Sequence, residues 1–554
     1  QQAYAFAERE KSNFSKNLSL DILFTKYFSY SIYYIITKTY FKEIFTYTKL
    51  FIYNNKFSIL FLFFQSAGLY FLFSDSYNDD IDKRIISNTL FFILNILLIT
   101  NIRGLTRKIY LSFLYLISIV PNLIVLGFYF MNNGIMKSTD FWVIFDSNPT
   151  ESANFLDTLP IKAFIGTIIY FLSITYLLIL SYKEVKKQKN RKLEFLLYII
   201  PLIVSISLPF RAHLPFVDFY KSFYNYQKDK NELIEFINNR NNIHINTSTI
   251  YNENPKTIVV VIGESANRNH YGIYGYERNT TPHLDSIKSE LSIFNNVVSP
   301  GIQTLDCLNK ILTFSTYHQP DLYKKESNII ELANNSSFKT FWIDNQGSGD
   351  IDTYTPSSYR CIAQQSSEFT LFQSLMDEDI IPKYIEVLKD SSYNKIIFIH
   401  LNGSHFAYHT RYPVKFKYFK DDKVKSKFKS TLTKKQINTI NEYDNSILYN
   451  DYVLWKIIEP LKDIEGIVNF LYFSDHGEEV YDSSLYAGRS FDNLTKGMCE
   501  IPFILWQNKT SKEVQNLKID TNRPFSSEDV IHSLMDLMGI RYHLYESERS
   551  EYRS

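Results

Sequence analysis

The distribution of hydrophobic positions divides the chain near residue 211. Before this point lie five apolar runs of about membrane-spanning length. Buried helices of a large soluble protein can resemble one such run, but five in succession indicate a membrane domain. The predicted spans are Phe57–Ser74, Ile85–Asn101, Ile109–Met131, Ala163–Ser181 and Phe195–Phe210.

Basic residues are concentrated in two of the loops between these runs. Loop 182–192 has six Lys or Arg residues and one acid, and loop 102–108 has three basic residues. Loop 75–84 instead carries four aspartates. The positive-inside rule places the two basic loops in the cytoplasm, so five spans export everything after the last one. Segment Phe28–Tyr53 is aromatic but interrupted by lysines, and we interpret it as an interfacial helix; a sixth span there would reverse this topology.

After residue 211 the pattern changes to a polar connection and then to short apolar strands between helical stretches such as Lys435–Lys462. The candidate strands are Thr257–Ile262, Thr340–Ile343, Lys395–Leu401, Val468–Ser474 and Pro502–Trp506. Strands that alternate with helices predict an extracytoplasmic α/β domain with a mostly parallel sheet flanked by helices. The predicted division is 1–56 (N-terminal segment), 57–210 (five-span domain), 211–250 (linker or bridging helix) and 251–554 (catalytic domain).

The composition of the chain excludes some classes of binding partner. The net charge of +1 argues against a dedicated nucleic-acid binder, which needs clustered Lys and Arg. Three cysteines, Cys307, Cys361 and Cys499, allow at most one internal disulfide, so no disulfide scaffold is expected. We expect a membrane-embedded monomer.

Polar residues follow three of the predicted strands. Glu264 comes directly after the first, Asp475 and His476 follow another, and His405 follows the strand ending near Leu401. Because carboxyl ends of parallel strands meet at one edge, these groups should converge. Two carboxylates and an imidazole suit Zn²⁺. Each short motif by itself is equally compatible with a solvated turn or a helix cap.

Thr304 lies in the stretch SPGIQTLDCLNKILTF, where a turn is followed by leucines and isoleucines at helical spacing. It therefore falls near a helix N-terminus, where backbone N–H groups favour a phosphate. The alternative is an ordinary threonine N-cap.

Five stretches share their order and spacing with a known family: GESANRNHYGIYGYERNTTPHL, SPGIQT, HLNGSH, YDNSILYNDY and SDHGEE. Together with the spans they make the chain similar, from about residue 57 to 508, to the phosphoethanolamine transferases of the Gram-negative envelope. These enzymes have the alkaline phosphatase/sulfatase-like fold. The combination is specific, although no single stretch is.

The resemblance implies that Thr304 is the nucleophile and that a zinc ion is held by Glu264, Thr304, Asp475 and His476. It also implies substrate contacts, at His405, Asn345, Arg489, Asn148 and Glu151. The lipid A-modifying branch carries disulfides and a second histidine where this chain has Arg489. An arginine cannot ligate zinc, so one ion is expected and a second is in doubt.

These departures resemble the branch that modifies core sugars. The implied reaction transfers phosphoethanolamine from phosphatidylethanolamine to a lipopolysaccharide, with a core heptose favoured over lipid A, or to a lipid-linked glycan. The implied location is the bacterial inner membrane, with the catalytic domain in the periplasm. An alternative is phosphoglycerol transfer to a periplasmic glucan or another glycan, as in manganese-dependent lipoteichoic acid synthase-like enzymes. TLDCL lacks the C/S-x-P-x-R run of sulfatases, and the complete ligand set argues against a non-catalytic sensor.

Overall fold

The computed structural model describes residues 46, 48–65, 81–102, 104–132, 161–184, 214–239, 245–250, 253–346, 358–372, 374, 376–424, 426–489 and 493–553. The chain divides into two compact units, one built from its N-terminal helices and one that includes all residues after 216. Each unit is described by itself. The helices before the sheet are α1 (48–65), α2 (Ile81–Asn101), α3 (Gly104–Asn132), α4 (Ile161–Lys183) and α5 (Pro215–Asn239).

Two helices in the described part of the chain are long and apolar enough to cross a membrane, Gly104–Phe130 and Ala163–Lys183. They correspond to the third and fourth predicted spans. The predicted span Ile85–Asn101 falls within α2, and the first predicted span is helical as far as residue 65. The fifth, Phe195–Phe210, lies outside the described residues, so the number of five spans stays a prediction.

A buried ion pair joins two helix ends in the N-terminal unit. Arg107 Nη2 lies 2.9 Å from Glu184 Oε2, with both side chains more than nine-tenths buried. Glu184 also accepts hydrogen bonds from the Ser58 hydroxyl and from the backbone N–H of Phe57. The start of α3 and the end of α4 therefore lie at the same end of this unit, as the prediction for the two basic loops requires.

The second unit is organised around a seven-stranded sheet in the described residues. The strand order is β3-β11-β8-β2-β7-β5-β6, and β11 runs antiparallel to both of its neighbours. The other contacts are parallel. The sheet strands are β2 (Lys256–Gly263), β3 (Leu291–Ile293), β5 (Lys339–Asp344), β6 (Glu368–Leu371), β7 (Asn394–His400), β8 (Ile467–Ser474) and β11 (Phe503–Gln507).

Shorter pairs and helices complete the unit. The remaining strands are β1 (Ser248–Thr249), β4 (Val297–Val298), β9 (Glu479–Val480), β10 (Ala487–Gly488), β12 (Lys518–Ile519), β13 (Phe525–Ser526), β14 (Ile540–Arg541) and β15 (Tyr552–Arg553). The helices are α6 (Pro282–Ser286), α7 (Thr304–Ile311), α8 (Ile329–Asn335), α9 (Ser358–Ala363), α10 (Ile381–Leu388), α11 (Lys434–Ile458), α12 (Lys509–Gln515) and α13 (Val530–Met538).

Strand β2 shows why the sheet is central. All eight of its residues are buried, and successive side chains enter different hydrophobic clusters. Ile258 and Val260 pack on the side of α7, α8 and α13, whereas Val259 and Val261 pack on the side of α10 and α11. A strand buried on both faces needs a continuous apolar run, and TIVVVI supplies it.

The mostly parallel sheet predicted from the sequence is confirmed, with strand bounds that agree to within one residue. The predicted strand Pro502–Trp506 is antiparallel, and the edge strands β3 and β6 were not predicted because short, half-buried strands lack a continuous apolar run. Strands β2, β5, β7 and β8 all end at the same edge, since they are mutually parallel.

Candidate metal centre

Three of the predicted zinc ligands converge at this edge of the sheet. One ligand atom each from Glu264, Asp475 and His476 lies within 4.8 Å of the others, and all three residues are fully buried. Glu264 follows β2 directly and Asp475 follows β8, its parallel neighbour. The sheet register therefore places the two carboxylates side by side.

The hydroxyl of Thr304 faces this cluster. Thr304 is the first residue of α7, the N-cap is Gln303, and this cap makes no side-chain hydrogen bond to the helix. Thr304 Oγ1 instead donates to Glu264 Oε2 at 3.0 Å and lies 3.3 Å from His476 Nε2. The alternative of an ordinary threonine cap is therefore wrong.

The hydrogen bonds around the cluster leave its lone pairs directed inward. His476 Nδ1 is bonded to the Gly477 carbonyl at 2.9 Å, which makes Nδ1 the protonated nitrogen and Nε2 an acceptor. Asp475 Oδ1 accepts from the backbone N–H of Ser265 and of His476. Asp475 Oδ2 is buried and accepts no hydrogen bond from any residue that the structure describes.

This arrangement fits a metal ion. His476 Nε2 lies 3.3 Å from Glu264 Oε1 and 3.2 Å from Asp475 Oδ2, so lone-pair-bearing atoms of three buried residues meet at one point. Burial and the neighbouring charge of Glu264 raise the pKa of Asp475 well above its usual value. A divalent cation would remove that repulsion, and a carboxylate, carboxylate and imidazole set is one that Zn²⁺ binds.

Two backbone features hold the ligands in place. Ser265 has a positive φ of 56°, which is strained for a residue with a side chain, and its carbonyl accepts a hydrogen bond from Tyr443 Oη at 2.7 Å. Gly403 also has a positive φ of 51°, and a Cβ there would lie 2.7 Å from the Glu264 carbonyl oxygen. The turn after β7 can therefore approach Glu264 only as glycine.

Arg489 lies against the cluster, as the resemblance implied. Its Nη1 donates to His476 Nε2 and, at 3.3 Å, to the Ile302 carbonyl. Its Nε lies 3.4 Å from Glu478 Oε2. Burial raises the pKa of Glu478 to about 7, although Arg489 and the hydroxyl of Tyr408, which donates at 2.9 Å, oppose that rise.

His405 follows β7 at the same edge. The Nη2 atom of Arg411 lies 3.4 Å from Nδ1 of His405. Burial, together with the positive charge of Arg411, lowers the pKa of His405 to about 3. The imidazole is therefore neutral, and with Nδ1 accepting from Arg411 the proton resides on Nε2.

The remaining predicted contacts differ in their placement. Asn345 is buried and its amide is already engaged, donating to Asp377 Oδ1 at 2.8 Å and accepting from the backbone N–H of Ser374 at 3.2 Å. Its role as a substrate contact stays a prediction. Asn148 and Glu151 lie outside the described residues.

Sequence reasoning missed two residues that hold Glu264. Gln346 donates to Glu264 Oε2 at 3.0 Å and to the Leu401 carbonyl at 2.9 Å. The hydroxyl of Ser265 donates to Glu264 Oε1 at 2.6 Å. Gln346 comes just after β5, so the strand-end rule that selected Glu264 could have found it.

The site thus consists of a hydroxyl at a helix N-terminus that faces buried carboxylates and an imidazole. It lies at the carboxyl edge of a mostly parallel sheet. This arrangement is that of the alkaline phosphatase-like superfamily. The chain belongs to the sulfatase family, whose model matches residues 256–540.

Similar proteins agree with this assignment. Phosphoethanolamine transferase EptC of Escherichia coli O18:K1:H7 (strain RS218) is 33% identical over 349 residues, which are 60% of this chain and 59% of that protein. The match thus spans about three-fifths of the relative's length.

Two solved structures are also similar. The periplasmic domain of EptC from Escherichia coli in complex with zinc is 32% identical, with a TM-score of 0.51 over 55% of this chain and 88% of that one. The integral membrane lipooligosaccharide phosphoethanolamine transferase A of Neisseria meningitidis has a TM-score of 0.60 over 91% of this chain and 98% of that one. Its identity of 18% supports a shared fold.

Proposed function

We propose that the chain transfers phosphoethanolamine from phosphatidylethanolamine to a lipopolysaccharide hydroxyl, through a phosphothreonine on Thr304. One observation carries the proposal: the Thr304 hydroxyl bonds to Glu264 beside His476 and does not cap its helix. The 33% identity to a protein named phosphoethanolamine transferase EptC supports the choice of headgroup. We place the catalytic domain in the periplasm and the helical unit in the inner membrane, by analogy with the same relatives.

Zinc would be held by Glu264, Thr304, Asp475 and His476, and when bound it supplies a Lewis acid that favours the alkoxide form of a hydroxyl. Two observations support this set: buried Asp475 Oδ2 accepts no hydrogen bond from the described residues, and His476 Nε2 lies within 3.3 Å of both carboxylates. The zinc complex of a relative 32% identical supports the identity of the metal. We expect one ion, because Arg489 has no lone pair to offer a second.

Thr304 would begin the reaction. Its Oγ1 attacks the donor phosphorus, its proton leaves toward Glu264 Oε2, and the bond to the diacylglycerol oxygen breaks. The departing diacylglycerol oxygen takes up that same proton, so Glu264 is again a carboxylate. The acceptor hydroxyl then attacks the same phosphorus, the bond to Thr304 breaks, and the threonine hydroxyl is restored. Exchange of one phosphodiester for another needs no ATP.

In this proposal three groups would offset the charge that develops on the phosphoryl oxygens. These are the first backbone N–H groups of α7, the guanidinium of Arg489 and the Nε2–H of neutral His405. Arg489 contributes a fixed positive charge, whereas a neutral histidine at the same position would contribute none.

The acceptor we favour is a core heptose, with lipid A the second choice. The described cysteines are all free thiols, and Arg489 stands in place of a second histidine, the two features by which the chain departs from the lipid A-modifying branch. The alternative donor reaction is phosphoglycerol transfer to a periplasmic glucan or another glycan. A threonine nucleophile at position 304 is compatible with the transfer of either headgroup.

The test uses the full chain in nanodiscs that contain phosphatidylethanolamine with a fluorescent acyl chain. We expect release of fluorescent diacylglycerol and a phosphoethanolamine mass increment on the peptide containing Thr304. An increment of phosphoglycerol, seen only with phosphatidylglycerol as donor, would support the alternative reaction. Absence of both increments would refute the covalent mechanism. Mass spectrometry of lipopolysaccharide from a deletion strain then identifies the acceptor.

A further inference from the structure

One surface segment holds a disproportionate share of the positive charge. Residues 411–435, here called the lysine strap, contain ten of the 59 basic residues and two of the 58 acidic residues of the chain. The net charge of the whole chain is only +1. Such a concentration within 25 residues indicates a charged partner rather than a general solubilising surface.

The strap is held firmly against the catalytic unit. Phe419 and Val424 are buried, and the side chain of Asn445 on α11 accepts from the backbone N–H of Phe419 at 2.8 Å and donates to its carbonyl at 3.0 Å. Arg278 Nη2 lies 2.7 Å from Asp421 Oδ1, so a buried arginine of the catalytic unit neutralises one of the strap's two acids. The described part of the strap, 411–424 and 426–435, is therefore an ordered platform.

The platform adjoins the candidate metal centre. The backbone N–H of Lys427 donates to the Asp482 carbonyl at 3.3 Å, and the Ser426 hydroxyl donates to the Tyr481 carbonyl. Both acceptors belong to the segment that follows Asp475, His476 and Glu478. A partner bound to the strap would therefore lie beside the catalytic edge of the sheet.

Exposed apolar side chains are interspersed with the lysines. Val414 is 87% exposed and Tyr418 is 74% exposed. Lys417, Lys420 and Lys423 are exposed as well, and no carboxylate of the described residues lies within 4.0 Å of their ammonium groups. Lys415, by contrast, pairs with Glu378 at 3.3 Å.

This chemistry selects a lipid surface. Lysines around exposed apolar side chains match the interface of an anionic bilayer, where the apolar groups enter the headgroup layer and the ammonium groups meet phosphates. A protein surface that binds nucleic acid would instead present arginines, which make bidentate contacts with phosphates. The one arginine of the strap, Arg411, is buried.

We infer that the lysine strap docks on the anionic, phosphate-bearing headgroup layer of a membrane. Lys417, Lys420 and Lys423 would contact the phosphates, and Val414 and Tyr418 would enter the interface. The inference does not depend on which headgroup the metal centre transfers. It gives the catalytic unit a second lipid contact beside its active edge.

Hydrogen exchange of the full chain tests this inference. The chain is placed in nanodiscs of phosphatidylcholine, in nanodiscs with about a third phosphatidylglycerol, and in phosphatidylcholine nanodiscs to which separate phosphatidylglycerol vesicles are added. We expect slower exchange in peptides from 411–435 in at least one of the two anionic conditions, and reversal by high salt. Equal exchange in all three conditions would overturn the inference. So would protection already present in neutral discs and rising with protein concentration, which would indicate a second copy of the chain.

A triple variant, Lys417→Gln, Lys420→Gln and Lys423→Gln, should lose this protection. For lysines near an anionic surface the expected loss of vesicle affinity is on the order of 100-fold for three. The matched control is the triple variant Lys509→Gln, Lys512→Gln and Lys518→Gln, which removes the same charge from exposed positions elsewhere and should keep the protection. If both variants lose protection equally, total charge explains the effect and the strap does not. Thr304→Ala should also keep the protection. Loss of the transfer reaction would therefore not count against the membrane contact of the lysine strap.

Discussion

Thr304 Oγ1 donates a hydrogen bond to Glu264 Oε2 across 3.0 Å, although Thr304 begins a helix and could have capped it. The contact joins the only hydroxyl at the start of α7 to the carboxylate that follows β2. It supports the proposal that Thr304 is the nucleophile.

Replacing Thr304 with alanine should abolish the covalent intermediate and lower the transfer rate at least about 10³-fold, because no other group replaces a lost nucleophile. Thr304→Ser keeps a hydroxyl and should retain measurable transfer. Fluorescent diacylglycerol release measures both. Transfer by Thr304→Ala at more than a tenth of the wild-type rate would contradict the role assigned to Thr304.

Glu264→Gln should lower the bound zinc, because an amide oxygen carries no charge to compensate the ion. Zinc per chain, measured by elemental analysis after purification, should fall well below that of the wild type. Glu465→Gln, an exposed matched control, should leave zinc content unchanged. Dialysis of the wild type against a chelator should remove activity, and added zinc should restore it. Unchanged zinc in Glu264→Gln would contradict the proposed ligand set.

Gln346→Ala should lower activity about 10–100-fold, because Gln346 orients the proposed metal ligand Glu264 through a hydrogen bond. Asn345→Ala should instead cost stability, by about 1–3 kcal/mol, since its amide bonds to buried Asp377. Transfer rates and thermal unfolding of the two variants separate these effects. A larger loss of activity in Asn345→Ala, at unchanged stability, would favour its predicted role as a substrate contact.

His270 is clamped between two carboxylates. Its Nδ1 lies 2.6 Å from Asp444 Oδ1 and its Nε2 lies 3.1 Å from Asp482 Oδ2. Burial by itself lowers the pKa of His270, but Asp482 and Asp444 outweigh it and raise the pKa to about 10. Since the folded-state pKa is above the unfolded value of about 6.5, the stabilisation is complete below that pH and is lost as the pH rises toward 10.

His270→Gln should therefore destabilise the catalytic unit by about 1–3 kcal/mol near pH 6, because Asp482 and Asp444 lose a buried charged donor while Asp444 keeps its ion pair with Arg278. The difference in unfolding temperature between the variant and the wild type should narrow as the pH approaches 10. A difference independent of pH would mean that His270 acts by packing alone.

Glu184→Gln should weaken the N-terminal unit, because buried Arg107 then lacks its counter-charge. The expected loss is about 3–5 kcal/mol. Thermal unfolding of the full chain in detergent provides the measurement. Arg107→Gln combined with Glu184→Gln should recover part of the loss, and a double variant less stable than both single variants would argue against a compensating pair.

The strands and the convergence of Glu264, Asp475 and His476 could be predicted from the sequence because both leave local signals. A strand buried on both faces must be a continuous apolar run, and a carboxylate directly after such a run must lie at the end of a strand. The order of strands in the sheet leaves no such signal. The antiparallel direction of β11 and the edge strands β3 and β6 depend on pairing between distant segments.

By itself, the sequence determined the class of fold, the residues that gather at one edge of the sheet and the positive charge of the strap, because periodicity, strand ends and composition are local properties. Only the tertiary structure decided how those residues face one another. It turned Thr304 toward Glu264, engaged Asn345 with Asp377 and brought Gln346 to Glu264 instead. Such choices depend on rotamers and on neighbours far away in the chain, which packing alone selects.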